Sequence, residues 1–384
     1  MNLFKKSILN LYDKILISRM KKNEMNKFKD TRRVAIYEKY KMTDVQEKQV
    51  NRLYEKNYGK KIPLTWHRHY SAFSGRFDSK YFPELMYIPE FEHYMLTQKE
   101  YAKVLGDKGF LATFAKGVGV KSPSVFLRKE NGFCIDSNGM VLTQDQFANK
   151  MDSIGDCFIK PSIDSCSGEG CSLCNLEDGV DKVSGKTVEQ ILDFYSDNFL
   201  VQECITCNEE IRKIYPDSVN TFRIITYLWN GEVKHTPSIM RIGQGGAHVD
   251  NAHAGGMFIG IDDNGHLKDK AYTEFCKVYE KHPDSGLEFK GYKISDFHKV
   301  IDAAEKLHVA CPRIGVVNWD FTIDDENTPV LIEANLNGGS IWMTEMANGC
   351  GAFGDDTADI LKWLRENNQK SWTWRRENIK FGDI

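Results

Sequence analysis

The sequence has no run of apolar residues near the ~20 that a helix needs to cross a bilayer. Its first twenty residues carry charges inside their apolar stretch, so a cleavable secretory signal is not expected. Charge of one sign is not in excess. The 51 Lys and Arg stand against 54 Asp and Glu, for a net charge of −3, which argues against a bulk nucleic-acid binder. There is no internal repeat and no low-complexity segment. No obvious catalytic triad stands out. What is present is 384 residues, 41% hydrophobic and 12% aromatic, enough for a sizeable core in one large domain or two to three ordinary ones. The ten cysteines are scattered, which points to reduced thiols in a cytoplasm rather than a disulfide framework.

The first third reads mostly as helix. Residues 1–33 hold ten Lys and Arg against Asp13, Glu24 and Asp30. Leu3, Phe4, Ile8, Leu11, Tyr12, Ile15 and Leu16 fall near one helical face. That face is expected to pack on the protein body, with contact to an anionic membrane surface as the alternative. Residues 43–58 and 98–116 are further helix candidates. Between them, the aromatic stretch Trp66-His-Arg-His-Tyr70 and residues 77–90, punctuated by Pro63, Pro83 and Pro89, read as loop and short elements. From about Ser122 short apolar runs alternate with turn signals and helical patterns, the texture of an α+β body.

Chemistry concentrates in four places. The first is a hairpin: residues 314–323 form one strand, 324–329 the turn and 330–335 the return. Alternation places Glu333 and Asn335 on one face, within reach of Asp320 on the partner strand, with Ile332 and Ala334 turned to the core. Two carboxylates and an amide oxygen make a hard-oxygen site suited to Mg²⁺. The second is Lys160-Pro161 followed by a small-residue loop, Ser165–Gly170, with Gly168 and Gly170. Its N–H groups can wrap phosphates and Lys160 can neutralise them. No Gly-Lys-Ser/Thr closes this loop, so it is not a Walker A loop. The third is Gln202-Glu203-Cys204-Ile205, with Glu209 beyond, a strand whose backbone can meet a purine edge. The fourth holds Arg223, Arg241 and the run Asp250-Asn251-Ala-His253-Ala-Gly-Gly256; both arginines are candidates for clamping anions. Cys171-x-x-Cys174 and Cys204-x-x-Cys207 invite a zinc reading. The gap between the pairs exceeds the roughly 15–20 residues usual for it, so core thiols are expected instead.

Taken in order, these strings resemble the ATP-grasp superfamily, and more narrowly the sugar-transfer-associated ATP-grasp family. Asp107-Lys108, Ser218-Val-Asn220-Thr-Phe-Arg223, Asp250–Gly256 and Glu333-Ala-Asn335 carry the resemblance, which covers roughly Thr97–Arg365. It implies an ATP-grasp fold, two α+β subdomains (97–200 and 201–384) gripping ATP, after a helical region 1–96 with an acceptor-binding loop. By the same resemblance Lys108 and Lys160 touch phosphates and Ser165–Gly170 closes over them. Backbone at Gln202, Glu203, Cys204 and Ile205 reads adenine, and Glu209 the ribose. Asp320, Glu333 and Asn335 hold one or two Mg²⁺ ions. Arg223, Arg241 and Asn251 line the acceptor side. Apart from the resemblance, His67 and Arg68 in the aromatic stretch and His253 near the Gly255-Gly256 turn are further acceptor candidates, because aromatics with polar tips suit a sugar. Asn318 stands where some peptide-ligase relatives place an Arg, and Arg241 is the substitute.

The function so implied is an ATP-dependent carboxylate–amine ligase working through an acylphosphate on a small-molecule or glycan substrate, in the making of cell-surface polysaccharide. A cytoplasmic location follows, with peripheral contact at the inner membrane face through residues 1–33 as the alternative to packing on the protein body. A kinase on the same fold, using Asp250 or His253 as base, and a non-catalytic ATP-binding module are the competing readings. The oligomeric state stays open.

Overall fold

The computed structural model describes residues 3–165 and 168–384; Met1, Asn2 and the loop residues Cys166 and Ser167 lie outside them. Two antiparallel sheets organise the chain. The first has seven strands: β1 (Val125–Glu130), β2 (Phe133–Asp136), β3 (Val141–Leu142), β4 (Asp156–Pro161), β5 (Ser172–Glu177), β6 (Val180–Asp181) and β7 (Phe199–Gln202), in the order β3-β2-β1-β7-β4-β5-β6. Helices Gln144–Asp152 and Val188–Tyr195 cover one face, burying Phe147, Met151, Ile191 and Phe199. Each starts at a Thr that caps the third helical N–H while a Gln three residues on reaches back to it.

The second sheet has eight strands: β8 (Thr221–Trp229), β9 (Glu232–His235), β10 (Ser238–Ile242), β11 (Met257–Ile261), β12 (Leu267–Tyr272), β13 (Val278–Tyr279), β14 (Val316–Ile323) and β15 (Pro329–Asn335). The order is β13-β12-β11-β10-β8-β14-β15, with β9 paired to β8. β8 and β14 are buried along nearly their whole length, and the period of two sorts their side chains. Phe222, Ile224, Val317, Trp319 and Phe321 join a core that includes residues of helix His298–Ala310. Ile225, Tyr227 and Val316 join a second core with Tyr54, Phe91, Phe353 and Leu361. The polar residues Arg223, Asn318 and Asp320 have the parity of this second face, and where the hydrophobic packing stops they line a cleft.

Two expectations are corrected and one is refined. Residues 65–74 are not loop but helix Thr65–Ser74. Trp66, His69, Tyr70 and Phe73 recur at helical spacing and are all buried, a signal that was there to be read. The stretch 84–95 is also helical, with a π-helical turn Tyr87–Glu92 around Pro89. Residues 98–116 are two helices, Lys99–Leu105 and Lys108–Val118, separated because Asp107 caps the second by accepting from Gly109 N (2.8 Å) and Phe110 N (2.9 Å).

Third, helix Leu3–Lys27 does not dock through its apolar face. The opposite face docks. Asn10 Oδ1 accepts from Thr373 N (3.1 Å), Asp13 is buried between His93 and Arg375, and Ile17 packs on the core. Lys21 pairs with buried Glu90. Buried carboxylates explain the choice: once Asp13 and Glu90 lie inside, their partners Arg375, His93 and Lys21 must meet them there. The apolar residues Ile8, Leu11, Tyr12 and Ile15 are left exposed.

Candidate active site

The cleft opens between the two sheets and has a volume of about 770 Å³. Its floor on the second sheet follows from register. Arg223 on β8 lies directly across from Asp320 on β14, and Asp320 directly across from Glu333 on β15. Between Asp320 and Phe321 the pairing to β15 shifts, from Glu333 to Leu331, so Ile332 is an extra residue in the ladder. Such a bulge turns its side chain out of the alternation. Ile332 therefore lines the cleft instead of facing the core as alternation alone predicts; Ala334 is buried in the core as expected.

Asp320 is the centre of a buried charge network. Arg223 holds it bidentately, Nε to Oδ1 at 2.8 Å and a terminal nitrogen to Oδ2 at 2.7 Å. Arg241, on β10, donates to the same Oδ2 at 3.0 Å and to Asp250 Oδ1 at 2.7 Å. Asn335 Nδ2 adds a bond to Oδ2 at 3.2 Å. Burial by itself pushes the Asp320 carboxyl up, but the two guanidiniums outweigh it and hold it below the usual carboxylate range. Asp250 is also spoken for: its Oδ2 accepts from Thr221 N (3.0 Å) and the Thr221 hydroxyl.

The opposite wall comes from the first sheet and the helix beside it. Lys108 is the first residue of helix Lys108–Val118, at the positive end of its dipole. Its Nζ donates to Ser165 Oγ at 3.0 Å and sits 3.5 Å from Glu333. Lys160, on β4, is buried, and its Nζ enters no hydrogen bond or ion pair among the described residues. Burial lowers its ammonium to about 8, with Glu333 opposing the fall and Lys108 adding to it. Gly168 reaches the facing wall, since a Cβ there would come within 3.3 Å of Val249. Its φ of +78° is a second reason for glycine.

Gln202, Cys204 and Ile205 line the cleft where β7 leaves the first sheet. Glu203 lines it too, but its carboxylate is turned to Ser124 N (2.9 Å), which fixes this crossing strand. Asn251 and His253 stand at the rim. Asn251 caps the short turn Ala252–Ala254, and His253 pairs with Glu274 at 2.9 Å, a hydrogen bond that raises its pKa.

Four expected contacts lie elsewhere. Glu209 begins helix Glu209–Ile214, is exposed and pairs with Lys213 at 2.8 Å, outside the cleft lining. Asn208 caps the start of this helix, its side chain accepting from Ile211 N. Gly170 does not line the cleft; it packs on Pro161, which a Cβ would approach to 2.9 Å. His67 is fully buried between Tyr54 and Tyr81, with Nε2 donating to Ser79 O at 3.2 Å. Arg68 donates to Tyr40 O and covers Tyr37. Once residues 65–74 wind into a helix, both side chains are committed to packing.

Three further features at or beside the cleft are the open amide of Asn318, the Gly338-Gly339 rim and the buried Glu92 behind it. Asn318 lines the floor, and its buried Nδ2 has no hydrogen-bond partner among the described residues. Gly338 and Gly339 line the rim after β15, and their N–H groups donate to buried Glu92 at 3.0 and 2.7 Å. Burial pushes the Glu92 carboxyl up to about 8. Nothing local to Glu92 announces this role, because its partners lie some 246 residues away in sequence.

The oxygens of the cleft floor form a donor set for Mg²⁺. No group of three or more His, Cys, Asp or Glu side chains assembles a metal site among the described residues. The set here is instead Glu333, whose ion-pair partner is Lys108, and Asn335, whose amide nitrogen is spent on Asp320 so that its oxygen is left over. Asp320 Oδ1 takes a single donor. These are hard oxygens, few in number, as an ion that shares its shell with phosphate and water requires. The set fits.

The family described as sugar-transfer-associated ATP-grasp matches residues 90–359. The chain belongs to this family. Its fold is the ATP-grasp fold, preceded by helices. No curated protein matches the chain. Among solved structures, D-alanyl-alanine synthetase A from Vibrio cholerae is similar at 14% identity and a TM-score of 0.40, covering 68% of this chain and 64% of that one. Carboxyaminoimidazole ribonucleotide synthase from Aspergillus clavatus, complexed with ATP, is 11% identical with a TM-score of 0.38, covering 63% and 47%. An L-amino acid ligase from Bacillus licheniformis is 10% identical with a TM-score of 0.38, covering 73% and 49%. The chain thus spans about half the length of the latter two. As an ATP-grasp protein it places Lys108, Lys160 and the Ser165 loop on one wall and Glu333, Asn335 and Asp320 on the other.

Proposed function

We propose that the chain is an ATP-dependent carboxylate–amine ligase whose substrate is a component of cell-surface polysaccharide or its sugar precursor. The observation that carries this is the facing of two lysines and a small-residue loop against Glu333 and Asn335 across one cleft. Lys108 and Lys160 meet the phosphates, the backbone of 202–205 meets the base, and Ile332 supplies an apolar surface beside it. Mg²⁺ held by Glu333, Asn335 and Asp320 supplies charge neutralisation of the phosphates. A substrate carboxylate oxygen attacks the γ-phosphorus, the bond to the β–γ bridging oxygen breaks and ADP leaves. An amine nitrogen then attacks the acyl carbon, the carbon–oxygen bond to phosphate breaks, and the nitrogen loses its proton to solvent. Arg241 and Arg223 face the transferring group with fixed positive charge. Closure of the Ser165–Gly170 loop keeps water from the acylphosphate.

Kinase chemistry needs a base free to take a hydroxyl proton. Asp250 has both carboxylate oxygens engaged by Thr221 and Arg241, and exposed His253 is held by Glu274. This favours the ligase. The fate of the γ-phosphate tests it: with Mg²⁺, γ-labelled ATP and pools of acids and amines, label is expected in free phosphate, dependent on both pools. Label retained in an acid-stable product would make the protein a kinase.

Lys160 gives a second expectation. Phosphate favours the charged ammonium, and a group near pH 8 is about half charged before nucleotide arrives. Nucleotide binding at pH 8 should therefore take up protons, seen in calorimetry as a heat that depends on buffer ionisation enthalpy. Lys160→Met should abolish that dependence. Binding by the parent protein with no proton uptake would contradict the placement of phosphates at Lys160.

A further inference from the structure

Helix Leu3–Lys27 has 25 residues and an extent of about 37 Å. One face is docked, through Asn10, Asp13, Ile17 and Lys21. Asp13 and Glu24, the acidic residues of this helix, are both buried on the docked side. On the opposite face Ile8, Leu11, Tyr12 and Ile15, spaced by three and four, are 52–62% exposed. Lys5, Lys14, Arg19 and Lys22 flank this stripe. All four are exposed and enter no ion pair among the described residues, whereas Lys6, Lys21 and Lys27 pair with Glu377, Glu90 and Glu24.

From this asymmetry we infer that the exposed face of the helix docks the protein on an anionic bilayer. Folding has withdrawn the helix's acidic side chains from the surface and left an apolar stripe between unpaired cations. That is the charge complement of an acidic headgroup layer above an acyl interior. A protein groove would need acidic walls to match it and would leave the cations at the rim. No helix among the described residues is long and apolar enough to cross a membrane, so the helix lies in the plane of the surface. The seated helix would bring the rest of the chain, cleft included, to the bilayer surface.

The test is co-sedimentation of the full chain with phosphatidylcholine vesicles, with and without phosphatidylglycerol. The parent protein should sediment with the anionic vesicles only, and high salt should release it. Each Lys or Arg near such a surface is worth about fivefold in partitioning. The variant K5E/K14E/R19E/K22E should lose at least about a hundredfold. The variant I8S/L11S/I15S should also lose binding. All seven positions are exposed and outside the cleft, so circular dichroism and ATP turnover in solution should be unchanged. The proposal is overturned if the parent does not sediment at low salt, or if either variant binds as the parent does. It is equally overturned if, without vesicles, the parent self-associates with rising concentration and I8S/L11S/I15S does not, which would assign the face to a second copy.

Discussion

Glu333→Gln is expected to lower ATP turnover by about 10²–10³-fold while leaving the fold intact. Glu333 is only partly buried, and its one ion pair among the described residues is with Lys108 at 3.5 Å. Losing its charge costs the protein little, within about 1 kcal/mol, because Lys108 keeps its bond to Ser165 and Lys160, whose ammonium Glu333 supports, can release its proton. For Mg²⁺ and the phosphates the loss is large, because a formal negative charge and a hard ligand leave the centre of the cleft together. Steady-state kinetics beside a urea titration separates the two. A variant with normal turnover and an unchanged denaturation midpoint would remove Glu333 from the metal site.

Asp320→Ala is expected to behave differently, lowering stability as well as turnover. Arg223 and Arg241 are both largely buried and both donate to the Asp320 carboxylate. Removing the shared acceptor strands Arg223 entirely and leaves Arg241 with Asp250 alone. Breaking a buried ion pair from one side costs about 3–5 kcal/mol, because the remaining charge stays inside without a partner. The denaturation midpoint should fall accordingly. Asp320→Asn should recover part of the loss, since an amide oxygen still accepts from Arg223, without restoring turnover. Equal stability of Asp320→Ala and the parent would mean that these guanidiniums find other partners.

The contrast between two acids directly opposite one another on a hairpin shows what the sequence made legible. Alternation over 314–335 identified Asp320, Glu333 and Asn335 as neighbours, because a regular antiparallel ladder allows little else. It did not reveal the shift after Asp320 that turns Ile332 outward; one inserted residue leaves no mark in hydropathy. It singled out Arg223 and Arg241 as anion clamps but not the carboxylate they share. That depends on β8 lying between β10 and β14, a matter of strand order across roughly 100 residues. Glu92 was not legible for the same reason. The helical order of residues 65–74 was legible in the spacing of Trp66, His69, Tyr70 and Phe73, yet the neighbouring prolines outweighed it. The apolar stripe on the first helix is legible in its spacing. Its direction is not, because that is set by where Asp13 meets His93 and Arg375, far along the chain.

Capture of the activated acid tests the central claim most directly. With Mg²⁺, ATP, a pool of candidate acids and hydroxylamine in place of the amine, the ligase reading predicts a hydroxamate formed in step with ADP and free phosphate, and none with Glu333→Gln. Formation of ADP with the γ-phosphoryl group on a stable organic product and no hydroxamate would contradict the account.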